Sequence, residues 1–357
     1  MVGSCAPMAR AEILPGLQAS PTLNTETTAL PTITDTPSPT LPATATSTPT
    51  LTPSPTPTPH PMSISAMRAG DYPGSEIVIE RELTAAYNHR RYYAYYLSEG
   101  YKIYGLLTVP SDEMPPGGWP AIVFNHGYIP PDVYKTTERY VAYVNRLAQS
   151  GYIVFRIDYR GHDQSEGEAN GAYGNSGYMV DVLNAVSSLQ RFPQANPDKI
   201  GMWGHSMGGY LTLRAMVITD QVKAGVIWAG VVASYPDMLY NWRRSSSFTP
   251  PTTRSGSRRW RDLWLETYGT PDENPAFWNS ISANTYLADL SGPVQLHHGT
   301  ADTDVPVEFS QNLYQQVLDA GEVAELYIYE GDDHNISGYF SAAMNQTIAF
   351  FDRYLKE

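Results

Sequence analysis

Three polar side chains, far apart along the chain, have the types that acyl transfer by a serine requires: the hydroxyl of Ser206, the carboxylate of Asp302 and the imidazole of His334. Ser206 sits in Gly204-His205-Ser206-Met207-Gly208, directly after the apolar run Ile200-Gly201-Met202-Trp203 and ahead of the helix-like stretch Tyr210–Met216. A G-x-S-x-G sequence between strand and helix makes a sharp, strained turn that lifts the hydroxyl clear of the backbone. Its glycines let strand and helix cross where a side chain would collide. A serine hydroxyl is a weak nucleophile alone. Chemistry at Ser206 therefore needs a base, a group to orient that base, and donors for the oxyanion.

Eight histidines compete for the role of base. His334 lies in Glu330-Gly331-Asp332-Asp333-His334-Asn335, after the strand-like Leu326–Tyr329, where a loop can reach back across a sheet to the serine. His205 adjoins Ser206, but neighbours on a tight turn point apart, so it is expected to support the turn. His297 and His298 end a strand and are expected to be packed and hydrogen-bonded. For the orienting acid, Pro293-Val294-Gln295-Leu296 runs into a loop holding Asp302 and Asp304; Asp302 is favoured, with Asp304 second and helix capping as the plain alternative. The backbone N–H of Met207 follows the nucleophile and is the first oxyanion donor. The second is expected from Asn125-His126-Gly127-Tyr128, with Gly127 permitting a close turn and Tyr128 either donating or walling the pocket.

Elements that could carry these groups are legible. Tyr92–Leu97, the turn Ser98-Glu99-Gly100 and Tyr101–Leu107 read as an antiparallel hairpin. Short apolar runs at Ala121–Asn125, Tyr152–Asp158, Ile200–Trp203, Ala224–Ala229, Val294–Leu296 and Leu326–Tyr329 read as strands covered on both faces. Amphipathic helices lie between them: Tyr140, Val141, Val144, Leu147 and Ala148 share one face, as do Met179, Val182, Leu183, Val186 and Leu189. The predicted fold is α/β, a mostly parallel, doubly wound sheet of about eight strands. Residues 234–286 break the rhythm and are predicted to form an inserted cap. That interval carries Trp242, Trp260, Trp264 and Trp278 with Arg243, Arg244, Arg254, Arg258, Arg259 and Arg261. A pocket for an aromatic or carboxylate-bearing acyl group is one reading of it. The favoured reading is a solvated cap whose Trp side chains make their own small core.

Composition bounds the rest. Of the 357 residues, those from Ser20 to Pro61 are almost wholly Thr, Pro, Ser and Ala, too poor in apolar groups to offset the entropy of ordering. Residues 1–62 are therefore read as a leader and disordered stalk, and 63–357 as one catalytic domain. Val2-Gly3-Ser4-Cys5 resembles a bacterial lipobox, which implies a lipid anchor at Cys5 and an extracellular or cell-surface lipoprotein of a bacterium. The net charge of −13 gives no electrostatic reason to bind nucleic acid or an anionic membrane. No apolar run is long enough for a transmembrane helix. One cysteine excludes internal disulfides and thiolate zinc clusters, and without H-E-x-x-H no metal or other cofactor is expected.

Taken together, Asn125–Tyr128, Asp158-Tyr159-Arg160-Gly161-His162-Asp163-Gln164-Ser165, Gly204–Gly209, His298–Asp302 and Asp333-His334 resemble, in order, the motifs of α/β-hydrolases. The resemblance is to the catalytic domain of prolyl-oligopeptidase-like (S9-type) serine hydrolases and their dienelactone-hydrolase-like esterase relatives. It implies Ser206 as nucleophile, His334 as base, Asp302 as acid, and Tyr128 with Met207 at the oxyanion. One position departs: the family often has Gly where Asp163 stands. The family's full-length oligopeptidases carry a β-propeller ahead of this domain that filters peptides by size, and none is expected here, which favours an esterase or a less selective peptidase; the expected partner is a small-molecule ester or peptide substrate. A stand-alone carboxylesterase is the alternative, and a surface binding protein that has lost catalysis is a second.

Overall fold

Nine strands order as β1-β2-β3-β5-β4-β6-β7-β8-β9 in a computed structural model that describes residues 58–242 and 256–357, without the side chains of 256–259. The strands are β1 (Val78–Leu83), β2 (His89–Ser98), β3 (Tyr101–Pro110), β4 (Trp119–Asn125), β5 (Ile153–Ile157), β6 (Ala195–His205), β7 (Ala224–Trp228), β8 (Val294–Gly299) and β9 (Ala324–Tyr329). The helices are α1 (Ile64–Arg68), α2 (Val141–Gln149), α3 (Gly177–Gln190), α4 (Met207–Ile218), α5 (Tyr235–Tyr240), α6 (Gly256–Tyr268), α7 (Pro275–Ile281), α8 (Val307–Asp319) and α9 (Phe340–Leu355). Cys5, nearly all of the expected stalk, Arg243, Arg244 and Arg254 lie outside the described residues.

Strands β4 to β9 run parallel, while β1, β2 and β3 pair antiparallel and β3 joins β5 antiparallel. The hairpin closes in two residues, Glu99 (φ 50°) and Gly100 (φ 85°), between the paired Ser98 and Tyr101. Both central residues are left-handed, the turn that matches strand twist. The sheet has one strand more than expected. The added β1, with the sequence VIEREL, is an exposed edge whose alternating charges guard it against further pairing.

Alternate residues of the central strands divide two cores. Ala121 and Val123 face α1, α3, α4 and α8, whereas Ile122 and Phe124 face α2 and α9. Between β7 and β8 the described residues hold α5, α6, α7 and a 3-10 turn, Ala283–Asp289, and no strand. Trp242, Trp260, Trp264 and Trp278 are all buried there, and they join the core of the α3 and α4 face rather than forming a separate one. Arg261 covers the rings of Trp242 and Trp260 at 5.4 and 5.6 Å. Among the described residues no helix is long and apolar enough to cross a membrane. Parallel strands leave their carboxyl ends on one edge, and there the loops after β4, β6, β8 and β9 bring Tyr128, Ser206, Asp302 and His334.

Candidate active site

Ser206 joins β6 to α4 with φ 55° and ψ −117°. An L-residue held there stores roughly 1–3 kcal/mol, so the surroundings must over-determine it. They do so through the backbone: Ser206 N–H donates to the Trp228 carbonyl at 3.0 Å, and the Ser206 carbonyl accepts from Gly209 and Val231 N–H at 3.0 and 3.1 Å. Glycine is obligatory at 208, because a Cβ there would lie 1.9 Å from the carbonyl oxygen of Asn125. The start of α4 thus presses against the end of β4. Among the described residues no acceptor takes the Met207 N–H, the first donor of that helix.

The acid lies in the loop after β8. Asp302 has a fully buried side chain, and its two oxygens take four hydrogen bonds. Oδ1 accepts from the N–H groups of Asp304 and Val305 at 2.8 and 3.0 Å. Oδ2 accepts from His334 Nδ1 at 2.7 Å and from His298 Nε2 at 3.0 Å. Burial by itself would raise the Asp302 pKa; the hydrogen bonds from His298 and His334 outweigh it and hold the carboxyl well below the usual range. A carboxylate that is ionised can only accept, so Nδ1 of His334 carries the proton and Nε2 is left with its lone pair. His298 is likewise fixed: Nε2–H is shared with the Val305 carbonyl at 3.1 Å, while Nδ1 accepts from the Ser310 hydroxyl at 2.7 Å.

His334 rides on a braced loop. Asp332 accepts the N–H groups of Asp333, Gly338 and Tyr339, and Asp333 accepts those of Asn335 and Ser337. The loop is tied to the serine turn by His205, whose Nε2–H donates to the His334 carbonyl at 2.8 Å. Tyr140 donates its hydroxyl proton to His205 Nδ1 at 2.7 Å and accepts the Gly127 N–H at 3.0 Å. Burial and the neighbouring His334 push the His205 pKa down to about 3, so this ring is neutral and fits the two hydrogen bonds. One chain of contacts, Gly127–Tyr140–His205–His334, therefore links the loop after β4 to the base loop. Gly127 has no room for more, since a Cβ would lie 2.7 Å from the Tyr140 hydroxyl and 3.2 Å from Ser206 Cβ.

Ser206 and His334 line one cavity of about 390 Å³ together with Gly127, Tyr128, Tyr140 and Tyr143. It is Asp302, not Asp304, that hydrogen-bonds the His334 ring. Among the described residues no hydrogen bond joins the Ser206 hydroxyl to that ring. Tyr128 is half exposed on the cavity wall. His297 is packed away from the site, bonded to Tyr329 and Gln295. Donor atoms of Asp302, Asp304 and His334 fall within 4.8 Å of one another. All four lone-pair positions of the Asp302 carboxylate are already taken, so these residues fit an acid–base pair better than a metal. His298 as second donor to Asp302, and Tyr140 as partner of His205, could not be read from the sequence; His298 carries the signal of a polar residue near the end of an apolar strand, and Tyr140, just ahead of α2, carries none.

Asp163, where the family resemblance implies a glycine, has φ 48°, a backbone that glycine adopts without strain. Aspartate tolerates this backbone, and its carboxylate here pairs with Lys135 at 2.9 Å and accepts the Thr136 N–H.

An acid and a base arriving from the ends of β8 and β9 toward a serine on a strained turn after β6 is the build of an α/β-hydrolase, and the sheet order agrees. The chain belongs to the prolyl oligopeptidase family, Peptidase S9, which matches residues 139–357, and it is a serine hydrolase. It is 26% identical over 274 residues to a Bacillus subtilis protein named as an uncharacterized peptidase, YtmA, covering 76% of this chain and 95% of that one. Human dipeptidyl peptidase 8 is also 26% identical, but the match spans 66% of this chain and 25% of the relative. Among solved structures, the Pyrococcus horikoshii acylaminoacyl peptidase superposes with a TM-score of 0.59 at 26% identity, over 76% of this chain and 43% of that chain. An acetyl xylan esterase from Paenibacillus sp. R4 shares the fold, with a TM-score of 0.57 at 16% identity over 80% of this chain and 91% of that chain.

Proposed function

We propose that the protein cleaves a peptide or carboxylic ester bond of small substrates through an acyl-enzyme on Ser206. His334 Nε2 takes the hydroxyl proton as Ser206 Oγ attacks the carbonyl carbon, and Asp302 stabilises the imidazolium that forms. The oxyanion is received by the backbone N–H groups of Met207 and Tyr128. His334 then returns the proton to the leaving alcohol or amine. Water repeats the sequence on the acyl-enzyme and frees the acid. The observation that carries this reading is the Asp302–His334 contact on the same cavity as a strained Ser206.

Ester and amide cleavage use the same parts, and differ in how well the leaving atom is protonated. Fluorophosphonate labelling of the wild type beside Ser206→Ala tests the nucleophile: label is expected on the wild type alone. Equal labelling of both proteins would sink the proposal. Nitrophenyl esters against aminoacyl arylamides then separate esterase from peptidase, with Ser206→Ala expected to lose about 10⁴-fold or more in kcat on either.

A further inference from the structure

One side chain on the cavity wall has no part in the chemistry above. Arg139 lines the same cavity as Ser206 and His334, and it is exposed. Among the described residues its guanidinium has neither an ion pair nor a hydrogen bond. Among the described residues that line this cavity there is no aspartate or glutamate, and His205 is neutral. Arg139 thus places a permanent positive charge on a largely aromatic wall, in a protein whose net charge is −13.

Its position is built, not incidental. Arg139 and Tyr140 are consecutive non-glycine residues with φ of 45° and 51°. Such a pair stays left-handed only where neighbours hold it. The holder is Arg156, whose side chain is fully buried: Nη1 donates to the carbonyls of Glu138 at 2.6 Å and of Arg139, and Nη2 to that of Thr136. This one backbone turn delivers the Tyr140 hydroxyl to His205 and leaves the preceding guanidinium at the cavity. The Arg139 charge also reaches the Tyr140 phenol, where burial raises the pKa to about 12 and the Gly127 N–H, Arg156 and Arg139 act against it.

We propose that Arg139 is a specificity-determining residue that receives a carboxylate of the substrate near the scissile bond. The preferred substrates are then acidic esters, or peptides presenting a free carboxylate to this wall, and a substrate bringing an ammonium there meets a like charge. A guanidinium matches a carboxylate in a two-bond fork. The inference rests on the serine-hydrolase mechanism proposed above.

The test compares matched ester pairs: 4-acetoxybenzoate with 4-acetoxybenzamide for a carboxylate on the leaving group, and 4-nitrophenyl hydrogen adipate with 4-nitrophenyl hexanoate for one on the acyl group. In the wild type one carboxylated ester should be preferred over its neutral partner. Arg139→Gln should lower that preference about 10-fold, mainly through KM, Arg139→Lys should retain part of it, and Arg139→Glu should invert it. The preference should also fade as salt rises. Unchanged ratios in Arg139→Gln and Arg139→Glu for both pairs would overturn the proposal. Neutral-ester turnover that needs Ser206 reports separately on the mechanism. Should that turnover be missing, calorimetric binding of 4-acetoxybenzoate to the Ser206→Ala protein, with and without Arg139→Gln, still reads the guanidinium contact: equal affinities would overturn it.

Discussion

Two buried aspartates flank the strand that ends at Ser206, one beyond each side of the sheet's centre, and they differ in charge: one is an anion, the other a neutral acid. Asp302, after β8, receives imidazole N–H groups from two directions and backbone N–H groups from a third, and stays ionised. Asp158, after β5, is as deeply buried, yet its partners are hydroxyls: Tyr134 at 2.7 Å and Thr136 at 2.5 Å. The Thr136 hydroxyl also reaches Asp163 at 2.9 Å. One hydroxyl has one proton, so it cannot donate to both carboxylates. Burial, only partly offset by Thr136, Tyr134 and Arg156, raises the Asp158 pKa to about 7. Asp158 then carries a proton that it gives to Thr136, and Thr136 gives its own to Asp163. Burial is common to both sites; the number and kind of donors decide which carboxylate remains an anion. In the proposed mechanism the first anion serves chemistry. The second site serves geometry, because Thr136 opens the segment that ends in Arg139 and Tyr140.

The pair is most sharply divided by amide replacements. Asp302→Asn turns an acceptor toward two histidines into a partial donor and favours the wrong tautomer of His334; kcat should fall about 10⁴-fold with folding intact. Asp158→Asn keeps a donor for Thr136 and an acceptor for Tyr134, so a comparable loss of kcat there would break the contrast. Next in size is Tyr140→Phe, which strips an acceptor from Gly127 N–H and a donor from His205. A loss of about 10² in kcat with little change in Tm is expected, and steady-state kinetics beside thermal melts check it. His298→Ala should cost about 10-fold in kcat, because Asp302 keeps His334 but loses its second imidazole donor. An unchanged kcat would mean the four-bond cage is more than Asp302 needs.

The smallest effect is thermodynamic. The folded Asp158 pKa of about 7 lies above its ordinary 3.8, so the folded chain holds the extra proton between these values. Its contribution is complete below about pH 4 and is lost as pH rises through about 7. Wild-type Tm should therefore drop by a few degrees relative to Asp158→Asn between about pH 5 and pH 8. Parallel Tm curves would show that Asp158 is not the proton holder.

Legibility followed burial. Strands β4 to β8 are readable as apolar runs because both faces are covered, whereas β9, read in the same way, is a half-buried edge strand. Strand β1 is not, since its charged, exposed sequence is set by pairing with β2 rather than by composition. Ser206, Asp302 and His334 stand just beyond readable strands, which is why their residue types and order could be picked out. The Tyr140–His205 contact depends on left-handed backbone at Arg139 and Tyr140, held by an arginine on another strand, and no local pattern encodes that. Arginine density drew the eye to residues 243–261, where Arg261 is the one arginine with a described side chain, and it packs on tryptophan rings. The guanidinium on the cavity wall is a single Arg in an otherwise unremarkable loop.

The torsion at residue 206 carries an evolutionary corollary. Selection on folding alone would place glycine there, for glycine adopts φ 55° without penalty. A Ser206→Gly protein should thus melt higher than the active one while turning over nothing, so the hydroxyl persists at the expense of robustness, a trade visible in one dihedral angle.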